Sequence, residues 1–254
     1  MDAHGEKFMK PSTRSVSTAT ARITPGVWAP LFHELAEYCH LLRYDTRGVG
    51  LSDWNVKDLT YDHLVADLEA VIEASGLATF ALLGISQGAA VAIDYAARNP
   101  ERVTHLILWG GFARSRRKRG NQEDLAESEA FLTLMRQGWG KDNSPFRQMF
   151  ASLYLPEAND EQIKWWTDLQ SIVTSPENEV LLRRVIDDID VSEHLSKVRT
   201  PTLILHSERE LVAPLAEARF MAARIPNARF VPLDSSNHLV MHQEPAWQRA
   251  TSEI

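Results

Sequence analysis

Apolar residues fall along this chain in two alternating patterns: short unbroken runs and longer stretches of helical period. The runs at 40–45, 80–85, 104–109, 202–206 and 229–233 are rich in branched and aliphatic side chains. Such runs, apolar at successive positions, suit strands covered on both faces of a parallel sheet. Between the first two lies 61–75, with Leu64, Leu68, Val71 and Ile72 at helical spacing and Gly76 where a helix stops. Residues 87–98 are small and apolar and end at Asn99-Pro100, which predicts a helix able to press closely on a sheet. Further helices are predicted at 28–38 and 214–224, and Trp247 lies in a last one. The alternation of strand and helix predicts an α/β fold with helices on both faces of a mostly parallel sheet.

Residues 112–196 break that rhythm. They carry amphipathic stretches at 123–138 and 160–173, few strand signals, and a concentration of aromatics: Trp139, Phe146, Phe150, Tyr154, Trp165 and Trp166. This predicts a helical cap inserted into a core made of 1–111 and 197–254. Insertions of this kind shape binding pockets. Ahead of residue 28 the chain is poorly apolar, and only one weak strand fits, at 15–23. The N-terminal strands are therefore expected to be reduced or missing. Either the sheet is short at one edge or the chain starts late relative to its relatives, and a homo-oligomer completing that edge is one arrangement this suggests.

With 254 residues, 44% hydrophobic and 24% charged, the chain can bury a large core without cross-links. Its one cysteine, Cys39, excludes an intrachain disulfide and fits a reducing compartment. The net charge of -7 weighs against a general nucleic-acid binder. Neither a signal peptide nor a membrane span is visible, so a cytoplasmic location without membrane attachment is expected. Arg114-Ser115-Arg116-Arg117-Lys118-Arg119 reads as a solvated hinge into the cap. Asp187-Asp188-Ile189-Asp190 lacks the glycine turn and distal glutamate of a calcium loop. No metal or cofactor is expected.

The candidate chemistry centres on Gly84-Ile85-Ser86-Gln87-Gly88, which follows an apolar strand and opens a helix. This is a nucleophile-elbow pattern: a strained turn lifts a serine hydroxyl to the N-terminus of a helix. There the Gln87 backbone N–H points at the place where an oxyanion would form. A serine hydroxyl needs a base. His238, in the polar loop 235–239 after the last strand, is the candidate, with His242 as competitor. The acid should follow the strand at 202–206. Glu210 stands in that place, just before Val212-Ala213-Pro214, with Glu208 and Asp234 as rivals. A second oxyanion donor would come from the loop 23–27, with the Thr24 N–H as candidate. Trp109 and Trp139 are candidate substrate contacts.

Together these residues resemble the α/β-hydrolase superfamily over about residues 23–250. Arg43-Tyr44-Asp45-Thr46-Arg47-Gly48-Val49-Gly50-Leu51-Ser52-Asp53 looks like its signature ahead of the elbow. Pro201-Thr202-Leu203-Ile204-Leu205-His206 and Asn237-His238 match its later landmarks. Stretches 110–114, 136–143 and 174–178 are more closely similar to hydrolase-like modules joined to LuxR-type DNA-binding domains or nucleotide cyclases. The resemblance implies a serine hydrolase acting on a small ester or related acyl substrate, or a non-catalytic ligand-sensing module of the same fold. The chain departs from the superfamily in lacking the usual His-Gly ahead of the oxyanion loop and in using glutamate where aspartate is common.

Overall fold

The computed structural model describes residues 14–17, 29–120, 122–141 and 145–254, with only the backbone described at 14–17. The expected Thr24 donor and the start of the helix predicted from residue 28 lie outside these residues. The strands are β1 (Arg14–Ser17), β2 (His40–Arg43), β3 (Phe80–Ile85), β4 (Val103–Trp109), β5 (Thr202–Ser207) and β6 (Ala228–Leu233). They form one sheet in the order β2-β1-β3-β4-β5-β6, and every neighbouring pair is parallel. The chain winds outward one way from β1 to β2, then returns to lay β3 on the other side of β1. This reversal leaves a crevice at the carboxyl ends of the central strands, where ligands of open α/β sheets bind.

Alternation along the strands divides the core in two. On β3, β4 and β5, Leu82, Leu106, Leu108 and Ile204 join one buried cluster. Their neighbours Ala81, Leu83, Ile107, Leu203 and Leu205 join the other. With both faces covered, no position of β3 or β5 can be polar without a partner: β3 is a continuous apolar run, and Thr202, His206 and Ser207 of β5 are each hydrogen-bonded to a backbone carbonyl. Helices α2 (Tyr61–Ser75), α3 (Gly88–Arg98) and α9 (Leu215–Ala222) cover the first face. Helices α1 (Ala29–Tyr38) and α10 (Pro245–Glu253) cover the second. Helix α2 begins where the Thr60 hydroxyl accepts the His63 N–H at 3.3 Å and stops at Gly76 in the left-handed region.

Among the described residues, five α-helices lie between β4 and β5: α4 (Gln122–Gly138), α5 (Pro145–Tyr154), α6 (Asp160–Val173), α7 (Pro176–Asp187) and α8 (Ser192–Leu195). The sequence pattern anticipates α4 and α6 but not α5 or α7. Helix α7 starts with Ser175 as N-cap and Pro176 in its first turn. One buried charge pins the insertion to the core and another braces it internally. Arg114 donates through its backbone and guanidinium to Glu217 of α9. Asp187, fully buried, accepts from Ser128 at 2.6 Å and pairs with Arg183. The acidic run at 187–190 is thus a structural anchor. The basic run is likewise occupied: Arg116 pairs with Glu127, Arg117 with Glu129, and Arg119 with Asp124.

The N-terminal strand is described at Arg14–Ser17, overlapping the start of the stretch 15–23 predicted for it, and residues 18–23 lie outside the described residues. Four residues suffice because β1 is paired on both sides, by β2 and by β3. No helix among the described residues is long and apolar enough to cross a membrane.

Candidate active site

Ser86 follows β3 directly and is the one non-glycine among the described residues with positive φ, at 53°. A serine in this region is strained, and the surrounding packing holds it there. Its backbone N–H donates to Trp109 O at 3.0 Å, and Ala89 N–H returns to Ser86 O at 3.0 Å. The turn is tight enough that a Cβ on Gly84 would stand 2.7 Å from Ala89 Cα and 2.8 Å from Gly88 O. Only glycine fits there. Gln87 occupies the N-cap position of α3. Its N–H therefore precedes the intrahelical hydrogen bonds, and Gln87 lines the same cavity as Ser86.

The structure brings three of the sequence-derived candidates into one hydrogen-bonded chain. Ser86 Oγ lies 2.9 Å from His238 Nε2, and His238 Nδ1 lies 3.0 Å from Glu210 Oε2. A carboxylate facing Nδ1 keeps the proton on that nitrogen and leaves the Nε2 lone pair for the serine hydroxyl. Glu210 Oε2 also accepts the backbone N–H groups of Val212 and Ala213, each at 2.9 Å. The extra methylene of glutamate is thus taken up by a turn that closes on its own carboxylate. His206, fully buried on β5, places Nε2 3.0 Å from Glu210 Oε1 and donates to Ala213 O at 3.0 Å. Burial pushes the Glu210 carboxyl up, but His238 and His206 outweigh it and hold the pKa down at about 2. The rivals stand elsewhere: Asp234 pairs with Arg209 at the surface, and Glu208 is exposed.

The loop carrying His238 is knitted from several sides. His238 N–H donates to Tyr154 O at 2.8 Å, and Ser207 Oγ donates to Asn237 O at 2.6 Å. The Asn237 amide donates to Glu244 at 2.8 Å and accepts Glu157 N–H at 3.0 Å. The Tyr154 ring meets the imidazole edge-on, with centroids 5.2 Å apart. The insertion therefore contributes directly to the orientation of the histidine.

A cavity of about 190 Å³ opens from Ser86, Gln87 and His238 into the insertion. Trp139, Phe150 and Tyr154 line it, and Trp139 packs edge-on to Phe150 at 5.4 Å. Trp109 does not line it, which corrects the sequence expectation. As the last residue of β4, its ring turns to the opposite side of the sheet and packs on Trp247 of α10 at 6.2 Å. Tyr154 belongs to the aromatic cluster that the sequence marks within 112–196. His206, Gln170 and Glu179 are not marked as site residues by the sequence, and of these only His206 carries a signal, a histidine inside an apolar strand. Among the described residues no cluster of three or more histidine, cysteine or acidic side chains could hold a metal ion.

Comparison with known proteins gives a consistent picture. The family model described as alpha/beta hydrolase fold matches residues 24–245. The AB hydrolase superfamily protein YisY of Bacillus subtilis is 27% identical over 231 residues, covering 85% of this chain and 84% of the relative. Pimeloyl-[acyl-carrier protein] methyl ester esterase of Nitrosomonas europaea is 24% identical, covering 84% of this chain and 83% of its own length. In fold the chain is similar to an esterase from Exiguobacterium antarcticum, with a TM-score of 0.79 and 22% identity over 96% of this chain and 91% of the other.

Proposed function

We propose, from the premise that this chain belongs to the alpha/beta hydrolase fold family, that it is a serine hydrolase cleaving a small carboxylic ester through an acyl-enzyme. The observation that carries this reading is the continuous hydrogen-bonded chain Ser86–His238–Glu210 on the wall of a cavity. His238 Nε2 takes the hydroxyl proton as Ser86 Oγ attacks the ester carbonyl carbon. Glu210 stays ionised throughout and stabilises the imidazolium that forms. The tetrahedral oxyanion is met by the Gln87 N–H and by a second donor from the loop 23–27, for which Thr24 remains the candidate. As the bond from carbon to the alcohol oxygen breaks, the imidazolium returns its proton to that oxygen. Water then attacks the acyl-enzyme, giving its proton to His238, which passes it to the departing Ser86 oxygen. The helical insertion acts as the cap that encloses the acyl group and excludes bulk water, with Trp139 among the substrate contacts.

A relative named as a methyl ester esterase supports ester chemistry, and relatives named as a deacetylase and as carbamate hydrolases make amides and carbamates the next substrates to test. The nearer kinship with regulator-borne modules rests on the stretches 110–114, 136–143 and 174–178 alone. A panel of nitrophenyl esters of short acids tests the proposal. Turnover is expected for the parent, with a loss of at least about 10³-fold in Ser86→Ala and His238→Ala. A parent that turns over none of the panel, or an unchanged rate in Ser86→Ala, would overturn it.

A further inference from the structure

The cavity has walls that mix apolar side chains with several polar ones. Glu179 of α7 lines it, and among the described residues its carboxylate makes no hydrogen bond and no ion pair. Arg183, one turn further along α7, does not neutralise it: that guanidinium is held by Asp187 and lies over the Phe131 ring at 5.1 Å. Gln170 of α6 also lines the cavity. It is 4% exposed, yet neither its amide oxygen nor its amide nitrogen has a partner. The indole N–H groups of Trp139 and Trp166, on the same walls, are buried and unpartnered as well. Buried polar groups are normally satisfied, and each one left open costs free energy. Residues that carry such groups line one cavity together with the unpaired Glu179, a lining suited to a polar ligand.

We infer that Glu179 and Gln170 form a recognition site for a hydrogen-bond donor carried by the substrate away from its scissile carbonyl. This deepens the hydrolase reading and rests on it: Ser86 performs the chemistry, and α6 and α7 choose the molecule. The donor is a hydroxyl, an amide N–H or an ammonium group. It gives to the Glu179 carboxylate and the Gln170 carbonyl, while the Gln170 amide and the indole N–H groups meet the acceptor atoms beside it. Burial, tempered by Arg183, pushes the Glu179 carboxyl up to about 7, which marks a carboxylate short of partners in the empty cavity. A plain alkyl ester of the same size would leave all these groups unsatisfied. Sites built to hydrogen-bond a substrate group reject analogues that lack it for this reason.

Calorimetry with two isosteric ketones, meta-hydroxyacetophenone and meta-methylacetophenone, tests the site without turnover, because the ketone carbonyl replaces the ester. The hydroxyl compound is expected to bind the wild-type protein at least about tenfold more tightly. That advantage should fall to about twofold or less in Glu179→Leu and Gln170→Leu. The isostere Glu179→Gln, which keeps an acceptor, should retain part of it. Equal or tighter binding of the methyl compound to the wild type overturns the inference whether or not the variants fold. So does a preference left intact in both leucine variants, or the absence of binding by both ketones. Fluorophosphonate labelling of the same preparation scores the chemistry separately. Labelled Ser86 without a hydroxyl preference removes this inference alone. A preference without labelling leaves the polar site and removes the hydrolase reading.

Discussion

Glu210 concentrates the electrostatics of the site. Its Oε2 accepts from two backbone N–H groups and from His238, and its Oε1 lies near His206. The folded pKa of about 2 lies below the ordinary 4.5, so the sign is that of a depressed carboxylate. Its contribution to stability is fully present above pH 4.5 and is lost as pH falls toward 2. Glu210→Gln removes that contribution and the driving force for the imidazolium. It should lower ester turnover by about 10²–10⁴-fold, measured as kcat on the best ester of the panel. Glu179 has the opposite sign. Its folded pKa of about 7 exceeds 4.5, so it favours the folded state below pH 4.5 and loses that advantage as pH rises through 7. Glu179→Gln should therefore gain stability over the parent on going from pH 5 to pH 8, on the order of 2 kcal/mol. Chemical denaturation at the two pH values checks this.

Ser86, His238 and Glu210 are legible in the sequence because each sits at the end of a strand whose apolar pattern marks it. Glu179 and Gln170 are not legible for the converse reason. A polar residue on an amphipathic helix normally faces water, and only the packing of α6 and α7 over the sheet turns these two inward. Trp109 was misread because an aromatic at a strand end can turn to either face. Here Trp247 supplies the partner that decides it.

At the scale of elements, the closeness of α3 to β3 sets the elbow. Glycine at position 84 and alanines at 89 and 92 let the helix lie against the strand, and a Cβ on Gly84 would meet backbone at 2.7 Å. Gly84→Ala should destabilise the protein by about 1–3 kcal/mol and reduce turnover through a displaced Ser86. Thermal melts and ester kinetics on the same sample test both effects. The apolar strands β3 and β5 are plain in the sequence because both faces are buried. β1 is faint because four residues paired on both sides need little side-chain signal. Helices α5 and α7 have weak sequence signals for different reasons. The ten residues of α5 crowd aromatics into a stretch that reads as cap core, and α7 is largely polar.

At the scale of the molecule, the insertion and the sheet are joined by a few buried charges and by the loop of His238. Arg114 reaches the buried Glu217 of α9 across that junction. Asp187 braces the insertion from within: it is fully buried and binds Ser128 and Arg183, while its carbonyl accepts from Ser115. Asp187→Ala leaves a buried guanidinium without its partner, at a cost of about 3–5 kcal/mol. The expected result is a lower melting temperature and earlier proteolysis within 112–196 than elsewhere, read by mass mapping of limited digests. An unchanged digestion pattern would mean that the insertion is held by its apolar contacts instead.

The central claim is that Ser86 is an activated nucleophile, and intact mass after treatment with a fluorophosphonate tests it most directly. The account predicts a single adduct on the parent protein, mapped to Ser86 and absent from Ser86→Ala. A well-folded parent that stays unlabelled would contradict it: the hydrogen-bonded chain would then orient a histidine without activating the serine.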